Sequence, residues 1–297
     1  MSLVVVGSIG LDSISTPVGS VNDTLGGSAI YASLSASYFT DVRIVGVVGE
    51  DFPASALDLL RKHNIALDGL EIVPGKTFRW KGVYHKWNQA DTLATELNVF
   101  ADFSPHIPEG CRNCHSLLLG NIHPDLQLQV LSETKSYTHV ACDTMNYWIS
   151  RCPDKLAEVI KQVHIVFMNE DEIRDFTKKD NIYDAARIVL SMGPALVVVK
   201  RGEYGSVAIM QDDMFFIPAY PLAQVKDPTG AGDSFAGAFM AIIENFATLD
   251  LDSVKSGLIY GTIMAANNVG EFGVQGLIGI NPSMIEQMKV DLIRWTR

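Results

Sequence analysis

Six short runs of apolar, largely β-branched residues recur along the chain: Leu3–Val6, Val42–Val48, Ser116–Leu119, His139–Cys142, His164–Met168 and Ala195–Lys200. Each has the length of a strand and almost no polar interruption. A strand with one wet face alternates apolar and polar residues, so unbroken runs mean burial on both faces, as in a parallel sheet. Amphipathic segments of helical period lie between them: Ser28–Phe39, Ala54–His63, Asp125–Ser132, Asp154–Gln162 and Ile182–Ser191. Strands alternating with helices predict an α/β fold, a mostly parallel central sheet flanked by helices on both faces. The last third reads as helical over Gly230–Phe246, Ser253–Asn268 and Pro282–Arg297.

One region departs from this rhythm. Along Lys76–Phe100, Phe78, Trp80, Gly82, Tyr84 and Lys86 fall on one face, and Arg79, Lys81, Val83 and His85 on the other. Period-2 alternation without an intervening helix predicts an antiparallel hairpin, turning at Asn88–Asp91 and returning over Thr92–Phe100. Such a hairpin either extends the edge of the core sheet or projects as a lid that excludes water from a site.

The totals narrow the classes of function. The chain has 297 residues, 47% of them hydrophobic and 19% charged, which suits a single sizeable α/β domain over 1–297. The formal net charge is -11, so nucleic acid and anionic membranes are not expected partners. Any nucleotide must be met by a local positive field. Met1–Gly10 carries an apolar run without a basic flank or small-residue cleavage site, and reads as a first buried strand. A soluble, cytoplasmic protein is the expectation. Cys111, Cys114 and His115 spell C-x-x-C-H, a pattern of covalent haem attachment. Without an export signal or a second ligand pair, it reads instead as a surface turn with reduced thiols.

The chemistry concentrates in residues 227–240, Asp-Pro-Thr-Gly-Ala-Gly-Asp-Ser-Phe-Ala-Gly-Ala-Phe-Met. Gly230, Ala231 and Gly232 open a helix whose apolar side is Phe235, Phe239, Ile242, Ile243 and Phe246. A helix start without bulky side chains leaves backbone N–H groups bare, and the dipole adds positive character there. The two together make an anion hole for a phosphoryl group. Asp233, in the first turn, places a carboxylate beside it. Phosphoryl transfer needs donors for developing charge and a base for the attacking hydroxyl. The same pattern also describes ordinary helix initiation.

This segment, Asp227-x-x-Gly230-Ala231-Gly232-Asp233 followed by Ser234-Phe235-x-Gly237-x-Phe239, resembles the C-terminal signature of the PfkB family, the ribokinase-like sugar and nucleoside kinases. The resemblance implies that Asp233 is the catalytic base and that Gly230, Ala231 and Gly232 form the anion hole. Leu25-Gly26-Gly27-Ser28-Ala29-Ile30-Tyr31-Ala32 resembles the family's diglycine motif, where adjacent glycines let the backbone approach a ligand. Gly7-Ser8-Ile9-Gly10-Leu11-Asp12 resembles its first strand and turn, which makes Asp12 a contact to acceptor hydroxyls; an Asx-type turn residue is the plain alternative. Asn169-Glu170-Asp171-Glu172 resembles the Asn-x-x-Glu motif that organises Mg²⁺, often through water, although N-capping by Asn169 describes it equally. Lys200-Arg201-Gly202-Glu203-Tyr204-Gly205 resembles the turn beside the ATP phosphates, with Lys200 where a hydroxyl residue is common. That lysine either meets phosphate or sits on a solvated turn.

The resemblance runs from Val4 to about Ile280 and implies a ribokinase-like fold with a small antiparallel β lid, formed mainly by about 11–22 and 76–100. It implies ATP and Mg²⁺ as cofactors. Gly276-Leu277 departs from the Pro-Ser of ribokinases and leaves a requirement for K⁺ open. Asn268 and Gly273 fall in the adenine-side region, and Asn121 near the substrate hydroxyls. The acceptor is a small-molecule sugar or nucleoside. Arg79, Lys81 and Lys86 are candidates for a second phosphate; Trp80, Tyr84, Trp87, Tyr147 and Trp148 are candidates for stacking on a base. Asp143 and Asn146 face the cleft without an assigned role. A monomer or homodimer is expected. A catalytically silent sugar or nucleoside sensor on the same fold is the alternative function.

Overall fold

A computed structural model describes residues 2–87, 89–112, 114–134 and 137–296. Its strands are β1 (Ser2–Val6), β2 (Gly10–Thr16), β3 (Gly19–Gly26), β4 (Asp41–Gly49), β5 (Ile65–Val73), β6 (Phe78–Lys86), β7 (Gln89–Glu96), β8 (Ser116–Leu119), β9 (His139–Asp143), β10 (Ile165–Asn169), β11 (Leu196–Lys200), β12 (Ser206–Ile209) and β13 (Met214–Ile217). Nine of them form one sheet in the order β13-β12-β11-β10-β9-β8-β1-β4-β5. The pairings from β5 to β11 are parallel, while β12 and β13 close the far edge antiparallel.

The apolar runs behave as their composition requires. Leu3 and Val5 of β1 enter one hydrophobic cluster and Val4 and Val6 the other, so successive residues feed opposite faces. One cluster is completed by the helices Ser28–Ala36, Ala231–Ile243 and Leu251–Val269. The other is completed by Pro124–Glu133, Pro153–Ile160, Glu170–Thr177 and Ile182–Leu190. On the first side two helices cross at Gly237. A Cβ there would strike the Ala32 carbonyl oxygen, so only glycine permits this approach.

A second sheet, β3-β2-β6-β7, stands apart from the first. The β6–β7 hairpin is antiparallel as its alternation predicts, with Asn88 outside the described residues. β2 and β3 complete the sheet, and β2 pairs with β6 in parallel, which the hairpin alone did not foretell. The reason is topological: β4, β5 and the helix Ala54–Lys62 intervene between the two strands, so both leave the core sheet in the same direction. Among the described residues no helix is long and apolar enough to cross a membrane.

Cys111 and Cys114 are buried in the second cluster rather than displayed on a surface turn. Burial pushes the Cys114 thiol up to about 12, which suits neither thiolate chemistry nor metal ligation. Their apolar neighbours account for the pair, with Asn113 outside the described residues.

Candidate active site

The parallel strands deliver their C-terminal ends to one edge of the sheet, where doubly wound folds bind ligands. β1 leads into Ser8, β8 into Gly120 and Asn121, β9 ends at Asp143, β10 at Asn169 and β11 at Lys200. The helix Ala231–Ile243 points its N-terminus at the same edge.

The helix start has the geometry that its glycines predict. Gly230 is the N-cap, with φ 75°, and no side chain caps the first N–H groups. The Tyr31 ring occupies the space a Gly230 Cβ would need. Asp227 shapes the turn: one carboxylate oxygen accepts from the Thr229 N–H at 2.9 Å, the other from the Gly273 N–H at 2.9 Å. The Asn268 side chain donates to the Thr229 carbonyl at 2.7 Å. Asn268 is therefore a fully buried prop beneath the turn, with its amide oxygen unpartnered, while Gly273 is pinned to Asp227.

Asp233 lies in the first helical turn. Burial, with Asp143 nearby, lifts its carboxyl to about 7, opposed by the Lys200 ammonium and its own backbone N–H. Lys200 does not sit on a solvated turn. Its Nζ donates to Asp143 Oδ2 at 2.6 Å and lies 2.9 Å from where a Cβ on Gly232 would project. Glu172 joins this group, raised to about 7 by burial. Asn169 and Glu172 form a reciprocal capping box, Asn169 Oδ1 accepting from the Glu172 N–H at 2.8 Å and Glu172 Oε2 from the Asn169 N–H at 2.7 Å. One Glu172 oxygen is left outside the box. Among the described residues no three His, Cys, Asp or Glu side chains stand close enough to hold a metal directly. That donor set fits Mg²⁺, which keeps most of its waters and takes phosphate oxygens.

The acceptor side is built from the diglycine turn. The Ser8 and Ser28 backbone N–H groups each donate to the other's hydroxyl at 3.1 Å, fastening the turn to the end of β1. Gly27, at φ 96°, lies against the Ser8 carbonyl, where a Cβ would clash. The Asp12 carboxyl lies on Gly26 and accepts from the Gly27 N–H; burial and the Asp227 charge lift it to about 7. Asn121 accepts from Trp148 Nε1 at 2.9 Å and donates to Met145 Sδ at 3.1 Å. His123 and Tyr147 meet the Trp148 ring edge-on. Beneath them Gln127, 1% exposed, donates through one Nε2 to the carbonyls of Gly120 at 3.0 Å and Asp143 at 3.1 Å.

The second sheet reaches this edge. The Thr229 hydroxyl donates to Tyr84 Oη at 3.1 Å, and Thr24 of β3 fills the space beside Gly273. Gly202 and Gly205 both have positive φ and turn the chain after Lys200, while Arg201 is held by Glu170 at 2.8 Å. Arg79 is paired with Asp23 and Asp51, while Lys81 and Lys86 are exposed. Asp143 and Thr229 are the site residues that sequence reasoning left without a role, and the hydrogen bond of Tyr84, a candidate for stacking on a base, to Thr229 was not foreseen. The one signal for Asp143 was a carboxylate closing a buried strand.

A family model described as pfkB family carbohydrate kinase matches residues 2–276. The chain belongs to this family. It is 33% identical over 248 residues to a cytidine kinase from Thermococcus kodakarensis, covering 81% of this chain and 88% of that one. A Burkholderia thailandensis nucleoside kinase in complex with inosine shares the fold with a TM-score of 0.81 at 18% identity, over 99% of this chain and 100% of that one. An Escherichia coli protein described as a ribokinase II, in complex with ATP and Mg²⁺, superposes with a TM-score of 0.80 at 18% identity, over 99% of both chains. The pfkB member described here is thus a carbohydrate or nucleoside kinase of ribokinase-like fold.

Proposed function

We propose that this kinase transfers the γ-phosphoryl group of Mg²⁺-ATP to a ribose hydroxyl of a nucleoside. Asp233 takes the proton of the attacking hydroxyl, and the N–H groups at Gly230, Ala231 and Gly232 receive the charge that develops on the phosphoryl oxygens. Asp12, with unfilled acceptor capacity beside Gly26 and Gly27, binds and orients the acceptor. Asn169 and Glu172 hold hydrated Mg²⁺, and the Lys200–Gly205 turn faces the donor phosphates, with Gly273 on the adenine side. The second sheet, mainly 11–22 and 76–100, acts as the lid.

One observation carries this reading: a carboxylate raised to about 7 stands at a bare helix N-terminus, beside a buried ammonium. A base poised near neutrality can both accept a proton at working pH and release it afterwards. A nucleoside is favoured over a sugar phosphate because Arg79 is already paired with Asp23 and Asp51. The aromatic group around Trp148 beside Asn121 offers a wall for a base, and the Thermococcus relative is a cytidine kinase.

The test is ADP release with Mg²⁺, with and without K⁺, against cytidine, uridine, adenosine, inosine, ribose and fructose. A nucleoside is expected to drive turnover, and Asp233→Asn to lower kcat by about two to four decades. If Asp233→Asn retains more than about a tenth of the activity, the base assignment falls. If no acceptor drives turnover yet nucleosides raise the melting temperature, the protein is a sensor on a kinase fold.

A further inference from the structure

The Asp143–Lys200 pair has a geometry that ordinary fold maintenance does not explain. Lys200 closes β11 and Asp143 closes β9, with β10 between them. On β10, Lys200 lies in register with Asn169 and Asp143 with Phe167, so the lysine side chain crosses the end of the intervening strand to reach its partner. Asp143 is 4% exposed. Both of its oxygens are used, Oδ1 by the Thr144 N–H at 2.9 Å and Oδ2 by Lys200 Nζ at 2.6 Å. Lys200 has three N–H donors and spends one on Asp143; the ammonium lies against Gly232, in the middle of the bare helix start.

A buried ion pair is a poor stabilising device, because desolvation cancels most of the attraction. What it supplies is position. A free lysine loses rotamer entropy when it must grip a ligand. A lysine already held by a rigid carboxylate has lost that freedom beforehand, and its charge meets developing negative charge without reorganisation. Burial alone would lower the Lys200 ammonium, but Asp143 and Glu172 outweigh it, so the group stays charged. A Cβ on Gly232 would push the ammonium away from this position.

We propose that Asp143 is a positioning residue that stations the Lys200 ammonium over Gly232, where it contacts the phosphoryl group in transfer alongside the helix N–H groups. This rests on the kinase reading of Asp233 and the 230–232 turn. In the step itself the acceptor hydroxyl gives its proton to Asp233 as its oxygen bonds to the γ-phosphorus. The bond from that phosphorus to the β–γ bridging oxygen breaks, its electron pair leaving on ADP. Lys200 keeps all its protons throughout and serves as a fixed charge.

The test compares wild type with Asp143→Asn, Lys200→Met, Lys200→Arg and the double variant Asp143→Asn/Lys200→Met. The first readout needs no turnover: calorimetric Kd values for Mg²⁺-ADP and for Mg²⁺ with a non-hydrolysable ATP analogue. A stationed ammonium favours the triphosphate, and this preference is expected to fall about tenfold in Asp143→Asn and Lys200→Met alike. A merely structural role would weaken both nucleotides equally and leave the ratio intact, which would overturn the proposal. The second readout is kinetic, with the best acceptor found. Asp143→Asn is expected to lose about 10- to 100-fold in kcat while the KM of the acceptor stays within about twofold. The double variant is expected to be no worse than Lys200→Met, because Asp143 acts through the lysine. Additive losses would overturn it. Lys200→Arg is expected to recover part of the triphosphate preference. If wild type turns over no acceptor, the kinase reading fails while the nucleotide ratio still decides the role of Asp143; if wild type turns over and Asp143→Asn matches it, only this proposal fails.

Discussion

Asp233 works at the cost of its own solvation. Burial first, and the Asp143 charge second, hold its carboxyl at about 7. For the free enzyme, kcat/KM is therefore expected to fall about tenfold per unit below pH 7, as the base becomes protonated. Stability carries the opposite sign. Between about pH 4 and 7 the native state keeps a proton that the unfolded chain has released, so stability falls as pH rises through that window. Asp233→Asn removes this penalty. The variant is expected to melt about 2–4 °C above wild type at pH 8, an advantage that shrinks toward pH 4 in calorimetric scans. A variant equally or less stable at pH 8 would contradict the desolvated carboxylate described here. Asp233 and the 230–232 turn were legible in the sequence because their chemistry is local: small residues, a helix start and a carboxylate within one turn. Asp143 was not, because its partner lies 57 residues away. Neither was the prop role of Asn268, whose partner, the Thr229 carbonyl, lies 39 residues away.

Among the elements, the crossing of Ser28–Ala36 with Ala231–Ile243 does most to place the site, because it brings the diglycine turn and the anion hole together at one end. The contact closes at Gly237, against the Ala32 carbonyl. Gly237→Ala is expected to force the helices apart and cost about 1–3 kcal/mol, read as a lowered denaturation midpoint with an unchanged slope. Alanine is the better helix former, so a neutral or stabilised variant would mean that the helices can slide. The six buried strands were legible because apolar runs of that length have few alternatives. The edge strands β5 and β13 were not, because exposed positions break their apolar runs, and neither was β12 beside β13. The strands β2 and β3 mix Ser, Asp, Thr and Gly, and only their pairing with each other, and of β2 with β6, gives them regular form.

At the scale of the molecule, the second sheet touches the phosphate turn, among the described residues, through a single polar link, Thr229 to Tyr84, 145 residues apart. A hydrogen bond of this kind contributes about 1 kcal/mol net, small beside the whole fold but comparable to the balance between a docked and an undocked lid. Tyr84→Phe is expected to leave the melting temperature within about 2 °C, raise the acceptor KM several-fold, and make the β6–β7 hairpin cut faster in limited proteolysis. Unchanged cleavage with an unchanged KM would mean that the sheet is held by packing alone. That a sheet would project was legible from the alternation at 78–86; where it would land was not, since landing is a property of two surfaces and sequence pattern describes one at a time. The net charge of -11 makes the landing site more informative, because Lys200 and the bare helix start are the local exceptions to an acidic protein.

The single Gln127 amide that holds both the Gly120 and Asp143 carbonyls ties two otherwise separate inheritances together. On the acceptor-side role proposed for Asn121, the segment to exchange when retuning the acceptor, Asn121 and the residues after it, includes the donor that fixes the strand end carrying Asp143. Domain shuffling or loop grafting from a relative with another preference thus imports a phosphate-side change along with the intended one. In this chain a graft on the acceptor side leaves the phosphate side undisturbed only while position 127 keeps a nitrogen between those two strands.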